Sequence, residues 1–457
     1  MSNSVSRRQF LKETAAAGIA GAAVNPWWQM QAMAQSAGGV TDYKALVCLF
    51  LYGGNDGNNL LMPCETEDYR LYAKARQGLA LSDQLLITPS NTAGRRFALH
   101  AAMPLLKKRF DAGQMALLAN IGPLMVPTTK KQYEDRSVPL PNYLFSHADQ
   151  QAQWQTDSFD KSLQGGWGGR MLDGLVPSGS TNRNYSCVSV TGSALWGTNV
   201  DASLLPYRVP SSGQFGFEDH VSKGSQAPQD PLSVALDDLM AKPQADVFGQ
   251  EWLLAMQRSM ENQRVLATAL EGASLKAVFP DTGLGRQMRM IARLISVRGG
   301  LGLLRQCFFC SLGGFDTHGD DQVRVQQDNF KEIDDAVDAF CQAMTELGLT
   351  DKVTLFTASD FNRTLVSNSR GSDHAWGNHQ LVVGGAVKGG KLYGQFPNHT
   401  VNGPDDIGGG VWVPSLSLDH LGVELGRWFG AADSLAQIFP RKGYFTHDLG
   451  LMAGSVS

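Results

Sequence analysis

Residues 45–59 read ALVCLFLYGGNDGNN, and this stretch decides the fold class. It begins with an apolar run, Ala45–Tyr52, that does not alternate with polar residues and ends at two glycines. Such a run predicts a strand buried on both faces of a parallel sheet. Asp56 follows almost at once, where open α/β sheets bind their ligands beyond the carboxyl ends of strands. The stretch therefore predicts an α/β fold with a site at one edge of the sheet.

The pattern of an apolar strand followed by an acid occurs twice more. QCFFCSL at 306–312 precedes Asp316 and His318, and KVTLF at 352–356 precedes Asp360. A single acid in this position usually caps the next helix. Three of them, one with a histidine two residues on, favour a metal site or an acid–base site at a shared edge of the sheet.

The candidate site combines acids, histidines, a serine and an arginine. Carboxylate oxygen with imidazole nitrogen suits one or two Zn²⁺ or Mn²⁺ ions better than Ca²⁺, which prefers oxygen alone. Two such ions can hold the attacking and leaving oxygens of an ester during hydrolysis, and Arg363 is expected to bind the anionic oxygens. The candidate metal ligands are Asp56, Asp316, His318, Asp360, His374 and His379, with Asp373 beside them. The candidate catalytic residues are Ser146 and Arg363.

Ser146 lies in LFSHADQQAQW at 144–154 and predicts the start of a helix. Two interpretations are open for its hydroxyl. It can cap the helix, or it can act as a nucleophile at a helix N-terminus, where the dipole favours an anion. The local sequence favours the cap.

The first 34 residues predict a twin-arginine export signal that is removed. SRRQFLK at 6–12 precedes a weakly apolar segment at 15–24, and Ala32-Met33-Ala34 supplies a cleavage site. We therefore expect the twin-arginine translocase as a partner during export and a periplasmic or secreted mature protein. Residues 35–457 are expected to form one large α/β domain, with a surface-loop excursion around 203–231.

Later segments exclude some classes of protein. No apolar run is long enough for stable membrane insertion, and no basic block suits nucleic acid. The pair Cys307-x-x-Cys310 falls within a predicted strand, where residues three apart face opposite ways, so core packing is favoured over a zinc or redox pair. Helices are predicted at Phe97–Phe110, at Gln322–Leu347, and at Leu418–Phe429 with Ser417 as its cap.

Several motifs occur in one order: the export signal, GGNDGNN, SHADQQAQW, SLGGFDTHGDDQ, SDFNRT, GSDHAWGNH and VVGGAVKGGKLYG. Together they resemble the twin-arginine-exported family of unknown function DUF1501, which is grouped with alkaline phosphatases and sulfatases. The resemblance implies a mostly parallel sheet sandwiched by helices, with metals at the strand ends. It matches Asp56 to the first-strand acid, Ser146 to the nucleophile, Asp316 and His318 to one metal pair, Asp360 to the next acid, and His374 or His379 to the late histidine.

Three departures from the superfamily pattern qualify this resemblance. The usual Asp-His pair is Asp360-Phe361 here, and Asp316 and His318 are closer in sequence than usual. No cysteine lies in the C-x-P-S-R context of formylglycine sulfatases. A complete two-zinc site is therefore in doubt, and a formylglycine sulfatase is not expected.

Two function classes follow from these observations. The first is an exported, metal-dependent hydrolase of phosphate or sulfate esters, acting on a small-molecule or glycan ester. The alternative is a non-catalytic relative that binds glycans or anionic polymers at the cell surface. Four tryptophans are compatible with a sugar platform, although buried core positions are commoner. They are Trp154, Trp167, Trp196 and Trp376. A redox enzyme is disfavoured because cluster-binding cysteines and a dinucleotide fingerprint are both missing from the sequence.

Overall fold

The structure is a computed structural model. It describes residues 42–82, 84–159, 165–176, 181–200, 204–213, 230–242, 246–445 and 448–454. The predicted signal peptide, and residues 203 and 214–229 of the expected loop excursion, lie outside the described residues. The export signal and the extent of the domain therefore stay predictions. No helix in the described ranges combines the length and apolar character that crossing a membrane requires.

Strands and helices alternate along much of the chain. The strands are β1 Lys44–Leu51, β2 Leu61–Pro63, β3 Gln84–Ile87, β4 Phe97–His100, β5 Met115–Gly122, β6 Cys187–Ser189, β7 Tyr207–Arg208, β8 Arg305–Leu312, β9 Val353–Ser359, β10 Asn378–Val383, β11 Leu392–Gly394 and β12 Leu416–Ser417. The α-helices are α1 Gly57–Leu60, α2 Thr66–Arg76, α3 Pro104–Asp111, α4 Lys130–Glu134, α5 His147–Thr156, α6 Trp167–Leu175, α7 Pro231–Ala241, α8 Val247–Glu271, α9 Gly283–Ser296, α10 Gln322–Glu346, α11 Leu418–Phe429 and α12 Leu435–Ile438.

The main sheet has the order β11-β5-β10-β9-β1-β8-β6-β7, and β12 also pairs with β5. β1 runs parallel to β8 and β9, with Val47 opposite Phe308 on one side and Leu355 on the other. β10 is antiparallel to both β9 and β5. The carboxyl ends of β1, β5, β8 and β9 therefore meet at one edge of the sheet. A second, antiparallel sheet, β2-β4-β3, shares no strand with it and packs against the same core.

Helices cover both faces of the main sheet. Val47 and Leu49 of β1 face a core that includes side chains of α9 and α10. Cys48 and Phe50 face the opposite core, which includes side chains of α6 and α11. Every residue of β1 after Lys44 is buried, as expected for a strand covered on both faces. The predicted fold class, a mostly parallel sheet sandwiched by helices, is confirmed.

Local predictions had mixed outcomes. Residues 97–110 are not one helix: Phe97–His100 form β4, and α3 starts only at Pro104, whose ring favours a first helical turn. Ser417 caps α11 as predicted, accepting a hydrogen bond from the amide of Asp419. Cys307 and Cys310 are buried on opposite faces of the sheet with no disulfide, which confirms core packing.

Candidate metal centre

Two glycines after β1 let the strand ends approach closely. Gly53 and Gly54 both have positive φ, at 112° and 83°. A Cβ on Gly53 would lie 2.4 Å from the amide nitrogen of Asp316, and one on Gly54 would lie 2.5 Å from the ring of Phe361. The amide of Gly53 also donates to Asp360 Oδ2 at 3.2 Å. Only glycine fits this backbone and this spacing, so the GG of the first stretch draws the three acid-bearing strand ends together.

Asp316 lies at the centre of a cluster of three imidazoles. Its Oδ1 is 3.0 Å from His318 Nε2 and 3.6 Å from His374 Nε2, and its Oδ2 is 3.5 Å from His147 Nε2. One ligand atom each from His147, Asp316 and His374 lie within 4.8 Å of one another. The Asp316 side chain is 51% exposed, so the cluster opens to solvent.

Each imidazole hydrogen-bonds through Nδ1 to an oxygen that accepts. The pairs are His147 with Asp360 Oδ2 (2.6 Å), His318 with Asp373 Oδ1 (3.1 Å) and His374 with the carbonyl of Phe145 (2.8 Å). A carbonyl or carboxylate oxygen accepts, so each Nδ1 carries the proton and donates. The Nε2 lone pairs of His147 and His374 then face Asp316, and that of His318 accepts from Arg363 Nη1. An oxygen behind each ring fixes the tautomer, as in metal sites.

Two of these lone pairs face each other. His318 Nε2 and His374 Nε2 are 3.0 Å apart, and with both Nδ1 atoms donating, neither Nε2 has a proton to share. Arg363 Nη1 donates to His318 Nε2 at 3.2 Å, so the lone pair of His374 is the one that a cation or an added proton would satisfy. Burial, together with Arg363 and the neighbouring imidazoles, lowers the pKa of His374, which disfavours the added proton. The donor set of imidazole nitrogen and carboxylate oxygen fits a first-row divalent ion.

The pKa values of the surrounding acids are shifted in different directions. Burial raises the pKa of Asp316, but the hydrogen bond and charge of Arg363 more than offset this and hold it below its usual range. A hydrogen bond from Asn368 lowers the pKa of Asp373. Burial raises the pKa of Asp360, against the opposing bonds from Gln151 and His147. Asp316 and Asp373 are therefore ionised at neutral pH.

Arg363 differs from its expected role. The residue is fully buried, and all five N–H groups of its guanidinium are engaged. They donate to the carbonyls of Gly53, Gly54 and Ser372, to His318 Nε2 and to Asp316 Oδ1. Arg363 therefore fixes the cluster through these hydrogen bonds. None of its N–H groups is left to bind a substrate anion.

Asp56 and His379, two of the predicted ligands, have other partners. Asp56 is fully buried, and its Oδ2 accepts from Arg76 and, at 2.8 Å, from Gln322 Nε2. His379 Nδ1 accepts from the amide of Asn120 at 3.0 Å, and burial lowers its pKa to about 3. Among the described residues, the structure does not bring either side chain into the cluster around Asp316. The guanidinium of the buried Arg76 occupies the position next to Asp56 that a metal ion would need.

Ser146 immediately precedes α5, so the predicted helix start is confirmed. Its hydroxyl donates to Asp149 Oδ2 at 2.7 Å and makes no hydrogen bond to an amide of the first turn. Its role as a nucleophile stays a prediction.

His147, which directly follows Ser146, is the residue that sequence reasoning did not include among the candidate ligands. Its Nδ1 and Gln151 Nε2, one turn later on α5, both reach Asp360 Oδ2, at 2.6 and 2.9 Å. The four-residue spacing of His147 and Gln151 was the available signal, since such residues share a helix face.

A model of the family described as "Protein of unknown function (DUF1501)" matches residues 43–407. The chain belongs to this DUF1501 family. The family expected from the motifs is therefore confirmed. No curated protein matches the chain.

Solved structures show distant likenesses to this DUF1501 protein. Ps i-CgsB in complex with k-i-k-neocarrahexaose is 10% identical with a TM-score of 0.36, covering 86% of this chain and 72% of its own. The lipoteichoic acid synthase LtaP from Listeria monocytogenes is 8% identical with a TM-score of 0.31, covering 84% and 82%. The PsFucS1 sulfatase from Pseudoalteromonas sp. is 11% identical with a TM-score of 0.35, covering 94% and 76%. At such TM-scores these likenesses say nothing about the activity of this chain.

The tryptophans do not form a sugar platform. Each of the four candidates is at most 2% exposed: Trp154, Trp167, Trp196 and Trp376. They belong to the core, and this removes the aromatic argument for a glycan-binding surface.

Proposed function

We propose that this chain is an exported, metal-dependent hydrolase of phosphate or sulfate esters that uses one divalent ion, Zn²⁺ or Mn²⁺. The ion would be held by His147, Asp316 and His374, with His318 at its side. The proposal of export depends on the sequence signal at residues 6–34.

One observation carries the proposal: Nε2 lone pairs of His147 and His374 converge with the ionised carboxylate of Asp316, and one ligand atom from each lies within 4.8 Å of the others. A divalent cation bound by these three groups would turn the repulsion between lone pairs and carboxylate into coordination. Three protein ligands leave a position open at a tetrahedral zinc, as in catalytic zinc sites. The 51% exposure of Asp316 provides solvent and substrate with access.

A single ion suits the site better than two. The acid of the first strand, Asp56, already has the buried guanidinium of Arg76 as its counter-charge. An added dication at Asp56 would therefore lie against a fixed positive charge. This agrees with the doubt that Asp360-Phe361 raised about a two-metal site.

The protein residues have separate tasks in this proposal. Hydrogen bonds at Nδ1 fix the orientation of the three imidazole rings. The acceptors are Asp360, Asp373 and the carbonyl of Phe145. Arg363 fixes Asp316 and holds its carboxylate ionised. A bound dication would supply Lewis-acid polarisation of an ester oxygen. Ser146, next to His147, remains the proposed attacking group, and its hydroxyl would have to leave Asp149 to do so.

The test is turnover of an aryl phosphate and an aryl sulfate by the purified mature protein, first stripped of metal and then titrated with Zn²⁺ or Mn²⁺. We expect hydrolysis of one ester class that appears with about one equivalent of metal. His147→Ala and His374→Ala should each abolish metal-dependent turnover, because each removes a proposed ligand.

The matched control is His420→Gln, which changes a histidine near the α11 cap and outside the cluster. This variant should keep wild-type turnover. Metal-loaded wild-type protein that hydrolyses neither ester class would contradict the hydrolase and favour the non-catalytic binding relative.

A further inference from the structure

We propose that Gln322 is a positioning residue for the metal centre: it fixes the loop that carries Asp373 and His374. This inference rests on the proposed function, because it concerns the affinity of the same site for its ion. It adds a residue from α10 that contacts none of the proposed ligands.

Gln322 is the first residue of α10 and is fully buried. Its Nε2 donates to Asp56 Oδ2 at 2.8 Å. Its Oε1 accepts from the hydroxyl of Ser372 at 2.8 Å. The side chain therefore joins the acid that follows β1 to a loop that follows β9.

The partners determine which way the amide points. Asp56 Oδ2 accepts hydrogen bonds, from Arg76 and from Gln322. The side chain of Gln322 must therefore turn its amide nitrogen, which can donate, toward Asp56. The oxygen must then face Ser372, whose hydroxyl donates to it. Glutamate would place a second carboxylate against Asp56, and an apolar residue would leave buried polar groups unpaired.

Ser372 transmits this constraint to the metal centre because it directly precedes Asp373 and His374. It is fully buried, and its carbonyl accepts from Arg363 Nη1 at 3.3 Å. Its hydroxyl is held by Gln322, so the two residues that follow it leave the protein interior in a fixed direction. Asp373 then orients His318, and His374 presents its own Nε2.

The expected consequence is a change in metal affinity. Residues that orient metal ligands typically change affinity by about 10–100-fold when they are replaced. We expect Gln322→Met, which keeps the length and removes both hydrogen bonds, to raise the dissociation constant for Zn²⁺ by about 10–100-fold. The measurement is a competitive chelator titration of the full mature chain, with the melting temperature of the metal-free protein recorded beside it.

Gln326→Met is the matched control. Gln326 lies one turn further along α10, is equally buried, and neither its amide nitrogen nor its oxygen has a hydrogen-bond partner in the described structure. Its replacement should leave the dissociation constant within about twofold of wild type. A general effect of placing methionine in this helix would instead weaken binding in both variants, and that result would overturn the inference.

A second variant breaks the hydrogen bond between Gln322 and Ser372 by changing Ser372. Ser372→Ala removes only the hydroxyl and should weaken Zn²⁺ binding like Gln322→Met. The double variant should lose no more than the larger single loss, because both changes break one contact. This pair also keeps the inference testable if Gln322→Met fails to fold.

The outcomes separate this inference from the proposed function. A wild-type chain that binds neither Zn²⁺ nor Mn²⁺ overturns both. A wild type that binds the ion, with Gln322→Met and Ser372→Ala binding it equally well, overturns the role of Gln322 alone.

Discussion

Asp56 and Asp316 each follow a buried parallel strand at the same edge of the sheet, yet they have opposite surroundings. Asp56 is fully buried and paired with the guanidinium of Arg76, which is also fully buried. Asp316 is half exposed and faces three imidazole nitrogens. The same sequence pattern therefore produces a structural ion pair in one place and a candidate metal centre in the other.

What differs is the cation that each acid meets. Arg76, at the end of α2, lies 20 residues beyond Asp56 and brings its own positive charge into the core. Asp316 also has an arginine, Arg363, but the imidazoles remain on its open side. An acid at the end of a strand is thus a potential ligand only if the fold leaves it a free, accessible face.

The largest effect is expected from removing the central acid of the open cluster. Asp316→Ala should lower the affinity for the divalent ion at least about 100-fold and reduce ester turnover by orders of magnitude, since the carboxylate contacts every ring. Metal titration and single-turnover kinetics measure both. Asp320→Ala, an exposed acid paired with Arg370 nearby, is the control and should change neither.

Ser146 is expected to give the next largest effect. If it attacks the ester, Ser146→Ala should lower turnover by orders of magnitude while metal stays bound. If it only hydrogen-bonds Asp149 at the start of α5, the change should cost about 1 kcal/mol of stability and leave turnover near normal. Turnover of Ser146→Ala equal to wild type would rule out the nucleophile and leave the metal centre intact.

Replacing the buried acid, Asp56, should lower the stability of the protein. Asp56→Ala leaves Arg76 as an unpaired buried charge, which typically costs about 3–5 kcal/mol of unfolding free energy. Urea unfolding of the metal-free protein measures it. A loss below about 1 kcal/mol would show that the buried pair is not what distinguishes Asp56 from Asp316.

The smallest effect concerns pH. Burial, with help from His379 and Arg76, lowers the pKa of His399 to about 3. Because this pKa lies below the unfolded value of about 6.5, its contribution to stability is complete above pH 6.5 and is lost as the pH falls toward 3.

Between pH 6.5 and 5 we expect His399 to account for roughly 1–2 kcal/mol of lost unfolding free energy. His399→Gln should flatten the pH dependence by that amount in urea titrations of the metal-free protein. An unchanged slope would mean that His399 is not neutral and buried as the structure has it.

The sequence predicted β1, β8 and β9 and the edge of the sheet beyond which their acids lie, since an apolar run followed by an acid is a local signal. It could not predict that Arg76 pairs with Asp56, because that contact depends on how α2 packs back on the sheet. His147 was missed for a similar reason: its partner, Asp360, lies 213 residues away. Residues 97–110 were wrongly predicted as a helix because their apolar spacing also suits β4 followed by α3.

The central claim is that an ion binds where His147, Asp316 and His374 meet. The most direct measurement is an anomalous-scattering map from crystals of the mature protein loaded with Zn²⁺. We predict one peak at about 2.0–2.2 Å from the Nε2 atoms of His147 and His374 and from a carboxylate oxygen of Asp316. A peak beside Asp56, or no peak near Asp316, would contradict the account.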